Sequence, residues 1–373
     1  MFQRKDIAMD FIEKMLNSFK FKGELVDFEQ FGSGHINSTY LARYNENGKI
    51  RSYVVQRVNT NVFKNIDDLM SNVFAVTYFL REKIKEQNGN PHRETLHYIK
   101  TDDGSLYYKD DDGNCFRAYR FVDNSKSCDS VSSPEIFEKS GIAFGKFQKY
   151  LSDFPATTLN ETIANFHNTG WRFENEFIPA VEEDKAGRAD TCKDEIEFVM
   201  KRRNDCTRLT DLIDKGQLPI RVTHNDTKLN NVLFDNDTDE AICVIDLDTV
   251  MPGLALYDFG DSIRFGANTC AEDEKDTSKV ALNLDYFRAY AKGFLSQAGD
   301  SLTQTEKDNL AFSAKLMTFE CGMRFLTDYL NGDTYFKTAY PEHNLVRAKN
   351  QFALVKDMES KMDEMEKIIK ELS

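Results

Sequence analysis

The spacing of hydrophobic residues changes several times along the first third of the chain. Residues 7–19 carry apolar side chains every three or four positions, which predicts an amphipathic helix. Apolar and polar residues then alternate, and this pattern predicts strands at 39–44 and 50–58, joined by a turn at 45–48. A second helical pattern follows near 66–85. The first part of the chain therefore combines a small sheet with flanking helices.

Helical spacing dominates after a polar joint at 125–133. Pro134 opens a predicted helix, because proline is favoured at the first helical position. Further helical patterns occupy 192–213, 282–295, 310–330 and 345–372, whereas two short β-rich runs interrupt them at 231–234 and 241–246. We therefore predict two lobes with a cleft between them: an N-terminal lobe over 1–124, which combines the sheet with its helices, and a mostly helical C-terminal lobe over 125–373.

Charge and cysteine content narrow the class of protein. The 62 acidic residues outnumber the 48 basic ones, which argues against a general nucleic-acid-binding protein because such proteins neutralise phosphates with Lys and Arg. The 7 cysteines are scattered, and no apolar run suits a signal peptide or a membrane span. We expect a cytoplasmic monomer that acts on a small molecule and binds neither nucleic acid nor membrane.

The segment 222–234 holds most of the candidate chemistry. His224, Asp226 and Asn231 form a His-x-Asp-x4-Asn pattern before an apolar run, and Asp246 ends the next apolar run. Phosphoryl transfer uses such groups: a carboxylate beside the acceptor hydroxyl, with an amide and a second carboxylate to hold Mg²⁺ on the phosphates. Any one of these residues alone is typical of a turn. Their combined order favours a kinase.

These residues also carry a family resemblance. The pattern at 224–231, with Val-Ile-Asp-Leu-Asp at 244–248 and Tyr-Asp-Phe-Gly-Asp at 257–261, resembles the aminoglycoside/choline phosphotransferase family, a relative of the protein kinases. Longer strings at 31–37 and 165–169 are most similar to bacterial N-acetylhexosamine 1-kinases. The resemblance implies an α+β, two-lobed protein-kinase-like fold with a smaller mixed β-sheet N-terminal lobe and a larger, mostly helical C-terminal lobe. It also implies that the N-terminal lobe at 1–124 binds the nucleotide and that the C-terminal lobe at 125–373 holds the catalytic loop and the substrate site.

The resemblance implies a role for each catalytic position. Asp226 is the expected base, or hydrogen-bond acceptor, that orients the attacking hydroxyl. Asn231 and Asp246 are the expected Mg²⁺ ligands, with Asp248 as a further ligand. His224 is expected to brace the loop by hydrogen bonding. ATP and Mg²⁺ are the implied cofactors.

Two segments of the first lobe are candidates for the nucleotide phosphates. Gly32, Ser33 and Gly34 lie between predicted strands, where backbone N–H groups can approach a phosphate closely. Gln56 and Arg57 stand where a kinase carries its phosphate-pairing lysine, and strand alternation lets only one of them face the cleft. We expect Arg57 to do so because a guanidinium offers a fork of donors, while Gln56 stays possible.

Other nucleotide contacts are less well marked. The helix near 66–85 lacks an obvious glutamate partner for the phosphate-pairing residue, and the acidic candidates on it are Asp67, Asp68 and Glu82. Phe121 and Asp123 end a strand at the joint between the lobes, where kinases present main-chain groups to adenine.

For the acceptor, the resemblance points to His35, Arg324 and Tyr335, with His167 as a weaker candidate. Arg324 interrupts an apolar helical pattern, so we expect a polar ligand or an acidic partner for its charge, the alternative being a solvated face of the helix. The predicted reaction transfers the ATP γ-phosphate to the anomeric hydroxyl of N-acetylglucosamine or N-acetylgalactosamine. The alternatives are a kinase for choline, an aminoglycoside, homoserine or methylthioribose, and a non-catalytic nucleotide-binding regulator on the same scaffold.

Overall fold

The N-terminal lobe is built on a six-stranded sheet, in a computed structural model that describes residues 12–31, 37–60 and 62–373. The strand order is β1-β2-β3-β6-β4, with β5 also paired to β6, and all pairings are antiparallel. The strands are β1 (Glu24–Gln30), β2 (Ser38–Glu46), β3 (Lys49–Val58), β4 (Tyr98–Ile99), β5 (Tyr108–Lys109) and β6 (Cys115–Arg120).

Different helices cover the two faces of this sheet. Helix α1, described over residues 12–17, packs Met15 on the outer face against Tyr53 and Val55. Helix α2 (Ile66–Glu86) belongs to the main core, which also contains Val58 of β3. Since side chains alternate along a strand, odd-numbered residues of β3 face outward and even-numbered ones face α2 and the cleft. This alternation decides which polar residues reach the cleft.

The C-terminal lobe is mostly helical, with short strands beneath the cleft. Helix α3 packs along α9, and α11 packs against α8 and α12. Strand β7 pairs with β9 and β9 with β10, while β8 pairs with β11. The elements are β7 (Ser125–Ser127), α3 (Pro134–Tyr150), α4 (Thr169–Arg172), α5 (Ile178–Glu183), α6 (Lys193–Met200), α7 (Arg208–Asp214), β8 (Arg221–Thr223), β9 (Val232–Asp235), β10 (Ala241–Val244), β11 (Met251–Gly253), α8 (Ala255–Gly266), α9 (Leu284–Ala298), α10 (Gln304–Asp308), α11 (Leu310–Leu330), α12 (His343–Ser360) and α13 (Met362–Leu372).

The predicted α+β, two-lobed fold is confirmed, although the sheet is antiparallel throughout rather than mixed in strand direction. The predicted hairpin and the helices that begin near 66, at Pro134 and at 310 are present. The helical patterns at 192–213 and 345–372 are each divided into two helices. The start of the predicted helix at 7–19 lies outside the described residues. Among the described residues, no helix has the length and apolar character needed to cross a membrane.

Candidate active site

The loop at 224–231 follows β8 and is anchored by helix α8. Asp258, fully buried in the first turn of α8, accepts hydrogen bonds from the backbone N–H of His224 at 3.0 Å and of Asn225 at 2.8 Å. Gln148 Nε2 donates a third bond to it at 2.7 Å. Burial raises the pKa of Asp258 even with these donors around it. The carboxylate therefore fixes the loop backbone immediately before Asp226.

His224 connects the loop at 224–231 to the segment at 244–248 from inside the core. Its Nε2 lies 2.8 Å from the carbonyl oxygen of Ile245, and its Nδ1 accepts the backbone N–H of Asp226 at 3.3 Å. These contacts together require the tautomer with hydrogen on Nε2. The ring is fully buried and meets Phe144 and Phe147 edge-on. This position suits a bracing residue rather than one that contacts a substrate.

Strand pairing brings Asn231 and Asp246 together. Val232 of β9 is paired with Val244 of β10, and the N–H of Ile245 donates to the carbonyl of Asn231 at 2.9 Å. Both side chains therefore project from neighbouring strand ends into the cleft. Asn231 Nδ2 donates to Asp226 at 3.0 Å, which leaves its Oδ1 for another partner. Asp246 adopts a left-handed backbone with φ of 58°, a conformation that Asp and Asn take more readily than most other L-residues.

Four carboxylates line the cleft, those of Asp129, Asp226, Asp246 and Asp248, and two of them have cationic partners. Asp226 pairs with Lys228 at 2.7 Å, and Asp248 pairs with Arg117. In the part of the chain that the structure describes, Asp246 has no such partner. Its side chain is exposed in the open cleft, but the protein packed around it desolvates it in part. This desolvation, followed by the charges of Asp248 and Asp226, raises the pKa of Asp246 to about 6.

The donor set fits a hard divalent cation. The carboxylate of Asp246 and the free amide oxygen of Asn231 are the oxygen ligands that Mg²⁺ prefers. Among the described residues, no group of three or more His, Cys, Asp or Glu side chains could hold a metal by itself. This agrees with the usual Mg²⁺ site of a nucleotide enzyme, where one or two carboxylates share the ion with phosphates and water. Asp248 is already engaged by Arg117 and, at 2.8 Å, by Asn37 Nδ2.

The expectation that Arg57 meets the phosphates is wrong in its geometry. Arg57 lies on the outer face of β3, is exposed, and donates to Asn114 away from the cleft. Gln56 faces the cleft instead, as strand alternation allowed. Its Oε1 accepts two hydrogen bonds, at 2.8 and 3.0 Å, from the guanidinium of Arg117, which lies directly opposite on β6. Sequence reasoning missed Arg117.

Helix α2 supplies no acidic partner to this wall of the cleft. Tyr107 donates to Asp67, Asn65 contacts Asp68, and Lys85 pairs with Glu82. Among the buried residues of α2, Asn72 donates to backbone carbonyls of the C-terminal lobe, including Val250 at 3.0 Å. The ion pair between strand and helix that kinases use is therefore replaced by amide contacts and by the pair of Arg117 with Asp248.

The cleft between the lobes has a volume of about 420 Å³. Its described lining includes Ser127 and Asp129 from the joint between the lobes, but neither Phe121 nor Asp123. Phe121 packs its ring edge-on to Phe31, and the carbonyl of Asp123 accepts from Arg93 at 3.2 Å. The predicted positions Gly32, Ser33, Gly34 and His35 lie outside the described residues.

A second cavity of about 530 Å³ lies in the C-terminal lobe and is lined by both Arg324 and Tyr335. Tyr335 Oη is 3.4 Å from a terminal nitrogen of Arg324. The guanidinium carbon lies 5.4 Å from the ring centre of Phe166 and 5.5 Å from that of Phe336. Within residues 12–31, 37–60 and 62–373, no carboxylate forms an ion pair with Arg324. The cation is thus held by aromatic rings and open to a ligand.

The acidic residues around this cavity are already engaged. Glu176 pairs with Arg172 at 2.6 Å, and Glu183 pairs with Lys185 at 2.9 Å. Asp328 accepts the backbone N–H groups of residues 334, 335 and 336 at 2.8 to 2.9 Å, together with Asn344 Nδ2. Asp328 therefore holds the loop that carries Tyr335. Nothing in the sequence marked this residue, because its partners lie in a segment without regular structure.

His167 lies between the second cavity and the catalytic loop. Its Nδ1 is 2.8 Å from Glu320, one turn before Arg324 on α11. Burial alone would raise the pKa of Glu320, but the nearby charges of His167, Arg172 and Arg324 hold it below the usual range. Glu320 therefore links His167 to the segment of α11 that carries Arg324.

Comparison with known proteins places this geometry in a family. A family model described as the phosphotransferase enzyme family, APH, matches residues 27–294. The structure of a microcompartment-associated aminopropanol kinase is 12% identical, with a TM-score of 0.61 over 96% of this chain and 98% of that one. An aminoglycoside phosphotransferase from Alicyclobacillus acidocaldarius is 13% identical, with a TM-score of 0.59 over 96% of each chain.

A third solved structure was determined with ligands. Spectinomycin phosphotransferase, in complex with ADP and spectinomycin, is 14% identical, with a TM-score of 0.52 over 89% of this chain and 92% of that one. At such identities these three structures show a shared fold. The family match covers most of the chain, and the chain therefore belongs to the APH phosphotransferase enzyme family.

Proposed function

We propose that this member of the family is an ATP- and Mg²⁺-dependent kinase that phosphorylates the anomeric hydroxyl of N-acetylhexosamines. Family membership supports the transfer of phosphate to a small molecule. The geometry of Asp226, Asn231 and Asp246 supports the same chemistry, because it offers a carboxylate for an acceptor hydroxyl beside oxygen ligands for a cation.

The observation that carries the choice of acceptor is the unpaired charge of Arg324. Glu176 and Glu183 are ion-paired and Asp328 is occupied by backbone and amide N–H groups, so the guanidinium of Arg324 is the charged group of this lining whose donors are left for a ligand. A cationic amino alcohol would be repelled by this guanidinium. A neutral amino sugar would accept hydrogen bonds from it through its carbonyl and hydroxyl oxygens. The aromatic rings of Phe166 and Phe336 offer apolar surface beside the same group.

In the proposed reaction, the sugar O1 forms a bond to the γ-phosphorus while the bond to the bridging oxygen of ADP breaks. The proton of O1 passes to Asp226. Asn231 holds one oxygen of this carboxylate and Lys228 the other, so it is oriented before the acceptor arrives. Asn231 Oδ1 and Asp246 would hold Mg²⁺, which offsets the negative charge of the phosphates when it is bound.

The test is an acceptor panel with ATP and Mg²⁺. It would contain N-acetylglucosamine, N-acetylgalactosamine, glucosamine, choline, aminopropanol, homoserine, methylthioribose and an aminoglycoside. Phosphorus NMR would locate the product phosphate. We expect turnover with the N-acetylhexosamines and a phosphate on C1. Turnover with the amines alone, or a phosphate on C6, would contradict the proposal.

Two variants separate chemistry from folding. Asp226→Asn keeps the shape of the side chain but removes the charged acceptor, so kcat should fall by about 10³-fold or more, as for loss of a catalytic group. Asp237→Asn, in the exposed turn after β9, makes the same change away from the site and should leave kcat unchanged. If wild-type protein binds ATP but phosphorylates no acceptor, the alternative of a nucleotide-binding regulator is supported instead.

A further inference from the structure

Arg117 stands out among the polar residues of the N-terminal lobe because it is a fully buried arginine in the wall of the cleft. It is 1% exposed and projects from the inner face of β6. Its guanidinium lies 5.7 Å from the ring centre of Tyr98. Burial alone would lower the pKa of Arg117, but Asp248 and Tyr98 outweigh it and raise the pKa, so the group stays charged. The cleft thus contains a permanent cation that the family motifs do not mark.

The hydrogen bonds of Arg117 leave part of the guanidinium available. A guanidinium has five N–H donors. One from Nε and one from Nη2 reach Gln56, and one from Nη1 reaches Asp248. The two remaining N–H groups belong to the two terminal nitrogens, which form the fork that binds phosphate oxygens in a bidentate manner. A purely structural cation of this burial would be expected to use all its donors inside the protein.

The charged residues of the cleft indicate what the guanidinium of Arg117 can bind. Among the described residues that line the cleft, the two cations are Lys228 and Arg117, against the four carboxylates of Asp129, Asp226, Asp246 and Asp248. Lys228 is held by Asp226 on the acceptor side. Arg117 is therefore the cation on the nucleotide side. Asp248 also accepts a bond from Asn37 at 2.8 Å, so it keeps a partner if the guanidinium turns toward a ligand.

We propose that Arg117 is the residue of this enzyme that binds the nucleotide phosphates, in the place of the strand lysine that the chain lacks, and that a phosphate oxygen competes with Asp248 for its guanidinium. Gln56 then acts as the positioning residue, since its single oxygen holds two of the guanidinium donors. This inference rests on the proposed nucleotide-dependent function, but it does not depend on which acceptor is used.

The test compares ligands with and without phosphates by isothermal titration calorimetry, with no acceptor present. The quantity measured is the ratio of the dissociation constants of adenosine and of ATP with Mg²⁺. In Arg117→Met we expect ATP to bind at least 30-fold more weakly and adenosine to change less than twofold. Arg117→Lys, which keeps the charge and most of the stem, should lose about tenfold for ATP and covers the case in which the Met variant does not fold.

The matched control is Arg57→Met, which removes a guanidinium from the outer face of the same sheet and should leave both dissociation constants unchanged. If the Arg117 variants weaken ATP and adenosine equally, or weaken neither, Arg117 is structural and the inference is overturned. An equal loss for ATP in Arg57→Met would also overturn it, since net charge alone would then explain the effect. Failure of the acceptor panel alone would refute the proposed function without altering this ratio.

Discussion

Asp328→Asn is the substitution that most directly tests how the second cavity is built. The carboxylate holds the loop at 334–336 with both oxygens. Oδ1 accepts the N–H groups of Thr334 and Tyr335, and Oδ2 accepts the N–H of Phe336 and the amide of Asn344. An asparagine has the same shape but only one acceptor oxygen. Its NH₂ group would therefore face two donors where the carboxylate offered an oxygen.

The size of the effect follows from these contacts. Two hydrogen bonds to a charged acceptor are lost, each worth about 1.5–3 kcal/mol, and the loop can relax to recover part of this. We expect the free energy of unfolding to fall by about 2–4 kcal/mol. The loop also places the Tyr335 hydroxyl beside Arg324 at 3.4 Å. Its displacement should raise KM for the acceptor about tenfold, which corresponds to about 1.4 kcal/mol.

The assay measures urea unfolding together with KM for acceptor and for ATP. KM for ATP should stay within twofold, because Asp328 lies in the second cavity and not in the cleft. Asp308→Asn, an exposed residue at the end of α10, removes the same charge and should change neither property. A folded Asp328→Asn protein with wild-type KM for the acceptor would refute the reasoning, since the loop would then have no part in acceptor binding.

Three further changes test the core, the metal site and the response to pH. Gly260→Ala should destabilise the protein by about 3 kcal/mol in chemical unfolding, because a Cβ there would lie 2.5 Å from the carbonyl oxygen of Ser313 on α11. Asn231→Ala should raise the Mg²⁺ concentration for half-maximal activity at least tenfold, and an unchanged requirement would remove Asn231 from the metal site. Burial, followed by the charge of Arg81, lowers the pKa of His97 in the folded protein to about 4. As the pH falls, the unfolded chain therefore binds a proton at a higher pH than the folded chain does. Stability should therefore fall between pH 6.5 and pH 4, and less steeply in His97→Gln, as measured by unfolding at several pH values.

The four residues predicted for the catalytic half of the site lie close together, and the reason is physical. His224, Asp226, Asn231 and Asp246 lie on one loop and one hairpin, so local strand pairing is enough to bring them together. The fold class was equally accessible, because the switch from alternating to helical spacing marks the two lobes. The ends of helices were harder to predict, since the single helical pattern at 192–213 forms two helices in the structure.

The rest of the site depends on register and on distant contacts. A shift of one residue in the register of β3 decides whether Gln56 or Arg57 faces the cleft. The sequence does not show which face of the sheet α1 covers; in the structure α1 covers the face of Tyr53 and Val55, so Arg57 lies on that outer face as well. Arg117 meets Gln56 because β3 and β6 pair at that position, 61 residues apart in the chain. Asp328 is a helix residue whose partners follow the helix. No local pattern marks any of these relations.

A double variant tests whether the two cavities act independently in the reaction. Arg117 and Asp328 share no partner, so their substitutions should act on nucleotide and acceptor binding separately. For independent sites, the losses in kcat/KM of Arg117→Lys and Asp328→Asn should add as free energies to within about 0.5 kcal/mol. A double variant that loses much less than this sum would show that both residues act through one step, such as closure of the lobes. Additivity would instead show that phosphate binding and acceptor binding are built independently on this scaffold, as expected of a family that keeps one transfer reaction while its acceptors differ.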